Sequence, residues 1–146
     1  MDVTALTDAS VSRFIEFGAA SLSPMERLLV AIWGLEADVN NGGFSQYYFN
    51  SYGDFAAETP THLRSIGAHQ AAGLVEQANL AFGPGGPPSD RDERQCALER
   101  IEENAAEGWD ALDNQFFSYP DDIAVLLTAY VERSGGAVSH FAGADA

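Results

Sequence analysis

Apolar residues recur at helical spacing along most of the chain. Met25, Leu28, Leu29, Ile32 and Trp33 follow a strong start at Ser23-Pro24-Met25-Glu26. There Ser stands at the cap, Pro at the first helical position and Glu three residues after the Ser. The helix is expected to stop near Asn40-Asn41-Gly42-Gly43, where Gly takes the left-handed end conformation. A short aromatic segment, Phe44 to Phe49, follows and is closed by Asn50-Ser51-Tyr52-Gly53. Upstream, Ser10 is a candidate cap for a first helix carrying Phe14, Ile15 and Phe17. Downstream, Thr59-Pro60 opens a helix that Ile66-Gly67-Ala68 ends or bends. His69 to Phe82 reads as another, with Leu74, Val75, Ala78 and Phe82 on one side. Gly83 to Pro88 is a loop. Ser89 or Asp90 caps a long helix with a bend or break expected near Gly108. A last helix starts around Pro120-Asp121-Asp122 and carries Ile123, Leu126, Leu127 and Tyr130 at i, i+3, i+4, i+7. Gly135-Gly136 is its expected end, and the tail from Ala142 is expected to be loose. No stretch alternates as a strand does. The expected fold is therefore all-α: a single compact multi-helix domain, residues 1–146, of about six to eight helices.

Charge changes the picture. The 146 residues hold 22 acids against seven bases, a net charge of −15, and every base is Arg. Such a chain repels nucleic acid phosphates and anionic membranes, so neither direct nucleic acid binding nor membrane binding is expected. A basic partner is attracted. No apolar run approaches the ~20 residues of a membrane span, and no signal-peptide pattern opens the chain, so the cytoplasm is the expected location. An acid excess can also be a habitat effect, spread evenly over the surface.

The stretch 90–113 makes the charge specific. It carries nine acids against Arg91, Arg94 and Arg100, a net of −6. On an ideal helix Leu98, Ile101, Ala105, Trp109, Leu112 and Phe116 fall within a sector of about 80°. Asp92, Glu99, Glu103, Glu107, Asp110 and Asp113 fall roughly opposite, as a carboxylate row and candidate protein-binding face. Successive carboxylates in that row rise about 6 Å, against one phosphate per ~3.4 Å on a DNA strand. Joined by a second row from a neighbouring helix, it would imitate phosphate charge.

The run from Glu36 to Gly53, with Asn-Gly-Gly-Phe-x-Gln-Tyr at its centre and Asn-Ser-x-Gly after it, resembles the signature of a bacterial family of small acidic helical proteins. Ile66-Gly67-Ala68 with the following helix, and Leu112-Asp113 through Phe116-Phe117 with Asp121-Asp122, look like that family's later blocks. The resemblance spans about residues 23–133. Its best-understood member type is a DNA mimic, which shows carboxylates as false phosphates and occupies the DNA-binding surface of a transcription factor. The resemblance thus implies a basic DNA-binding regulator as partner, with the chain a monomer or homodimer. It carries over the motif residues Glu36, Asn41, Gly42, Gly43, Phe44, Gln46, Tyr47, Asn50, Gly53 and Gly67, read as structural. The acidic row rests on spacing alone.

Other chemistry is weaker. Glu36, Gln46, Tyr47 and Asn50 can instead gather as a polar pocket for a small ligand, the alternative reading. His62, His69 and His140 lack metal-ligand spacing, even with Glu58 or Glu36, so no metal is expected. Cys96 lies beside carboxylates, which disfavour a thiolate. Gly83 to Gly86 lacks the Lys-Ser or Lys-Thr of a phosphate loop. The expectation is a binding protein without cofactor, not an enzyme.

Overall fold

A computed structural model of the chain describes residues 2–135. Gly136, His140 and the tail from Ala142 lie outside the described residues. Six α-helices run in order: α1 (Val3–Phe17), α2 (Pro24–Phe49), α3 (Thr59–Ser65), α4 (His69–Asn79), α5 (Arg91–Phe117) and α6 (Ile123–Arg133). Short 3-10 turns occupy Ala19–Ser21, Ser51–Phe55 and Leu80–Phe82. The described residues form no strand, and the all-α expectation holds.

Helix α2 is the centre. Ser23 Oγ accepts from the Glu26 amide at 3.2 Å, and Glu26 Oε1 accepts from the Ser23 amide at 2.8 Å, closing the capping box. Leu29, Ile32 and Leu35 have no exposed surface. Each contributes roughly 1.5–3 kcal/mol of transfer free energy. They pack with Phe44, Tyr47, Tyr48, Leu98, Trp109 and Phe116 in the main core. Val11, Val30, Ala31 and Phe55 form a smaller cluster under α1.

Several boundaries differ from the sequence reading. Helix α1 starts at Asp2, whose carboxylate accepts from the Thr4 amide at 2.9 Å. Ser10 is no cap; it is buried in mid-helix and donates to Leu6 O. Nothing between Asp2 and Gly18 breaks a helix, so the helix takes the whole run. Ile15 and Phe17 are exposed, and Phe14 alone of the expected trio turns inward against Tyr52 and Phe55. The aromatic segment after Gly43 is not irregular. The chain departs from helix at Gly42 and Gly43 and resumes it at once, so α2 is an elbow of two limbs.

Helix α5 runs straight through Gly108. That glycine is solvent-exposed and costs ~1 kcal/mol relative to Ala. Burial of Trp109 and Leu112 immediately after it offsets the loss. At the end of α3 the Gly67 reading holds. Gly67 has φ +92°, its amide donates to Arg64 O, and the Ala68 amide donates to Leu63 O, a Schellman closure. Ser134 closes α6.

Candidate functional site

The seam of α5 enters the core as its spacing requires. Leu98, Trp109, Leu112 and Phe116 are buried, and Ile101 and Ala105 pack against them. Asp90 caps the helix, accepting from the Glu93 amide at 2.9 Å. Opposite the seam, Asp92, Glu99, Glu103, Glu107 and Asp110 are all exposed. Asp92 and Asp110 are eighteen residues apart, about 27 Å along a straight axis. Asp90, Glu93 and Glu102 are exposed elsewhere round the same helix or at its cap. Eight of the fourteen exposed acids among the described residues therefore sit on α5 or its cap, and the other six on α1, α4 and α6 or their caps. The acids are concentrated on one element.

The basic residues do not neutralise it. Arg91 Nε donates to Phe49 O at 3.2 Å, and its guanidinium lies over the Phe49 ring. Arg94 is wholly buried. Three other ion pairs engage Arg13, Arg27 and Arg64 with Glu26, Glu58 and Glu76, none of them on α5. Only Arg100 remains among the exposed acids. A second row does not exist among the described residues: α4 holds one acid, Glu76, and Arg64 binds it with both terminal nitrogens.

Asp113 leaves the row. Its Oδ1 accepts from the Phe44 amide at 2.8 Å, capping the restarted limb of α2, and its other oxygen closes against Gly43. Partial burial pushes its carboxyl above the usual range; the Phe44 amide opposes that shift and Asp110 adds to it. Counted from Asp92, Asp113 sits about 300° round the wheel, only about 40° past Trp109. Asp113 therefore belongs to the elbow and not to the outer face.

The motif residues build this elbow. Gly43 has φ +75° and is buried, with no room for a side chain beside Asp113. Asn41 donates to Gln46 Oε1 across the break. Gln46 and Asn50 both donate to Asp38 Oδ1, at 3.0 and 3.1 Å. Phe44 and Tyr47 fill the core, and Tyr47 shares a hydrogen bond with Thr59 Oγ1. At Gly53 a Cβ would meet Tyr47 O at 2.6 Å.

A family model for DMP19-like proteins matches residues 20–134. The chain belongs to the DMP19-like family. No curated protein and no solved structure matches it.

Within this DMP19-like chain the four-residue polar pocket does not form. Tyr47 is fully buried, Gln46 and Asn50 turn onto Asp38, and Glu36 lies two residues from Asp38, on another side of the helix. Glu36 Oε2 instead accepts from Tyr119, whose oxygen accepts in turn from Asn40. Tyr119 holds φ +49° in the turn after α5. Burial raises the Glu36 carboxyl above its ordinary value, Tyr119 opposes that, and Asp122 adds to it. Among the described residues no three His, Cys, Asp or Glu side chains converge as metal ligands. His62 sits 3.6 Å from Glu58, and burial lowers its pKa against that carboxylate's pull. Cys96 is exposed. No described helix is long and apolar enough to cross a membrane.

Sequence reasoning missed Arg94. Its guanidinium donates to Tyr48 O (2.7 Å), Asn50 O (2.8 Å), Pro88 O (3.0 Å) and Ser89 O (3.2 Å), and pairs with Asp54 at 2.9 Å. It thereby closes the carbonyl end of α2. The signal was present: Arg94 stands four residues before Leu98, on the apolar seam.

Proposed function

We propose that this protein binds a basic macromolecule through the outer face of α5, as a DNA mimic that occupies the DNA-binding surface of a transcription regulator. Binding, not catalysis, is its role in this reading. The observation that carries it is the uncompensated row Asp92, Glu99, Glu103, Glu107 and Asp110 on one straight helix. Arg91 and Arg94 are engaged at the end of α2 and only Arg100 stands among the outer acids, so the row keeps a net negative charge. Membership in the DMP19-like family supports the same reading. With one row, the surface imitates a single phosphate strand, at roughly half the linear charge density of that one strand.

The test is a salt series with purified DNA-binding proteins of the same cell, with and without competing duplex DNA. Affinity should fall steeply as salt rises, since exposed charges are screened beyond ~10 Å at 0.1 M. The change of Glu99→Gln, Glu103→Gln and Asp110→Asn together should abolish competition with DNA. Binding that ignores ionic strength, or survives that triple change, sinks the proposal.

A further inference from the structure

A second site lies away from the acidic face. A cleft of about 290 Å³ opens between α1, α2 and α6. Val3 and Leu127 give it apolar walls, and Trp33, Glu36, Asp8 and Thr7 supply the rest of the chemistry used here. Trp33 is 39% exposed, unusual for so large a ring, and Tyr52 holds it edge-on at 5.5 Å.

Three features point to a missing ligand. First, no described cation serves this cleft. The ion pairs and arginine–aromatic contacts engage other acids and other rings, so among the described residues Glu36, Asp8 and the Trp33 face have no positive partner. Second, Thr7 lines the cleft at 7% exposure with a free hydroxyl. Ser10, one turn on, spends its hydroxyl on Leu6 O at 2.8 Å, whereas Thr7 Oγ1 has no such bond among the described residues. Third, Glu36 is half-buried with one carboxylate oxygen held by Tyr119 and the other without a hydrogen bond. Desolvation and the nearby Asp122 both penalise its charge.

We infer that this cleft binds an organic cation, one guanidinium or ammonium group on a short alkyl stem. The head would sit between the Glu36 carboxylate and the Trp33 ring, where cation–π attraction adds to the ion pair. Thr7 Oγ1 accepts a further N–H. The stem runs along Val3 and Leu127. The volume lies at the small end for ligand sites, which suits one side chain or a small amine and excludes a larger ligand.

The probes are butylguanidine, for a free cation, and acetyl-Ala-Arg-amide, for a partner's side chain. Calorimetric titration of the intact chain is the readout. Trp33 emission follows binding independently, because Trp109 is buried. Glu36→Gln keeps an acceptor for Tyr119 and should weaken either probe at least tenfold, while Thr7→Val weakens it less. The triple change on α5 should leave the affinity unaltered, which separates this site from the mimic surface. Binding of butylguanidine assigns a free cation; binding of the peptide alone assigns a side chain. Absence of both, equal binding of uncharged butylurea, or indifference to Glu36→Gln in a variant that melts as the wild type does, overturns the inference.

Discussion

The carboxylates of the α2 elbow and those of the α5 outer face belong to one chain and one charge excess, yet they do opposite work. At the elbow every acid is engaged by a hydrogen bond or an ion pair. Asp38 takes Gln46 and Asn50, Asp113 takes the Phe44 amide, and Asp54 takes Arg94. On α5 the row from Asp92 to Asp110 takes none among the described residues. The first population builds the fold and is lost to any partner. The second is held by nothing and is available to one. Net charge cannot distinguish them; hydrogen-bond partners do.

The elbow should therefore break most severely where its one buried cation is removed. Arg94→Met leaves the carbonyls of Tyr48, Asn50, Pro88 and Ser89 and the Asp54 carboxylate without their donor. Breaking a buried pair from one side costs about 3–5 kcal/mol. Arg94→Lys should not restore it, because one ammonium cannot reproduce the planar fork. Urea unfolding of both variants checks this; a loss under about 1 kcal/mol for Arg94→Met contradicts the role assigned.

A smaller loss is expected at the hinge. Gly43→Ala forces a side chain into φ +75°, ψ −174°, and against the Asp113 carboxylate. Such a conformation costs on the order of 1–3 kcal/mol. Gly108→Ala is the control on the other region: it meets nothing within 4 Å and should stabilise the straight helix by roughly 0.5–1 kcal/mol. If the two glycines respond alike in thermal melts, the elbow is not specified by Gly43.

These positions show what could be read beforehand. The Ser23 box, the Gly67 stop and the Leu98 to Phe116 seam are local patterns, and each survived. Asp113 and Glu102 show where locality fails. Glu102 lies at about 280° on the wheel, nearer the seam than Asp113, yet it is exposed. What turns Asp113 inward is the free Phe44 amide, 69 residues away in sequence. No periodicity carries that information. Arg94 is the converse case: its place on the seam was visible, but the α2 carbonyls that make a buried arginine tolerable were not. The elbow's continuation as helix was hidden for a similar reason, because the cap that restarts it comes from another element.

Acid titration should expose the half-buried carboxyl of Glu36. Glu36 has a folded pKa above its unfolded value of 4.5. Its protonated form is favoured in the fold, so its contribution is fully present below pH 4.5 and is lost as pH rises through the higher folded value. Relative to Glu36→Gln, the wild type should be most stable in acid and lose ground toward neutral pH. Urea midpoints taken from pH 3.5 to 7 decide it, and a difference that grows in the wild type's favour toward neutral pH reverses the assignment.

The smallest effect on stability is expected where the largest effect on binding is. Glu99–Glu103 and Glu103–Glu107 are like charges one turn apart, each costing the helix a few tenths of a kcal/mol. Glu103→Gln removes both repulsions and no hydrogen bond. The variant should melt slightly higher than the wild type at low salt, and the gain should shrink as salt screens the row. The same substitution should weaken a basic partner. A residue kept against its own helix's stability, and repaid only in association, is what a surface shaped for a partner contains. If Glu103→Gln instead destabilises the fold, the bare row has an internal partner after all, and the contrast between the two regions dissolves.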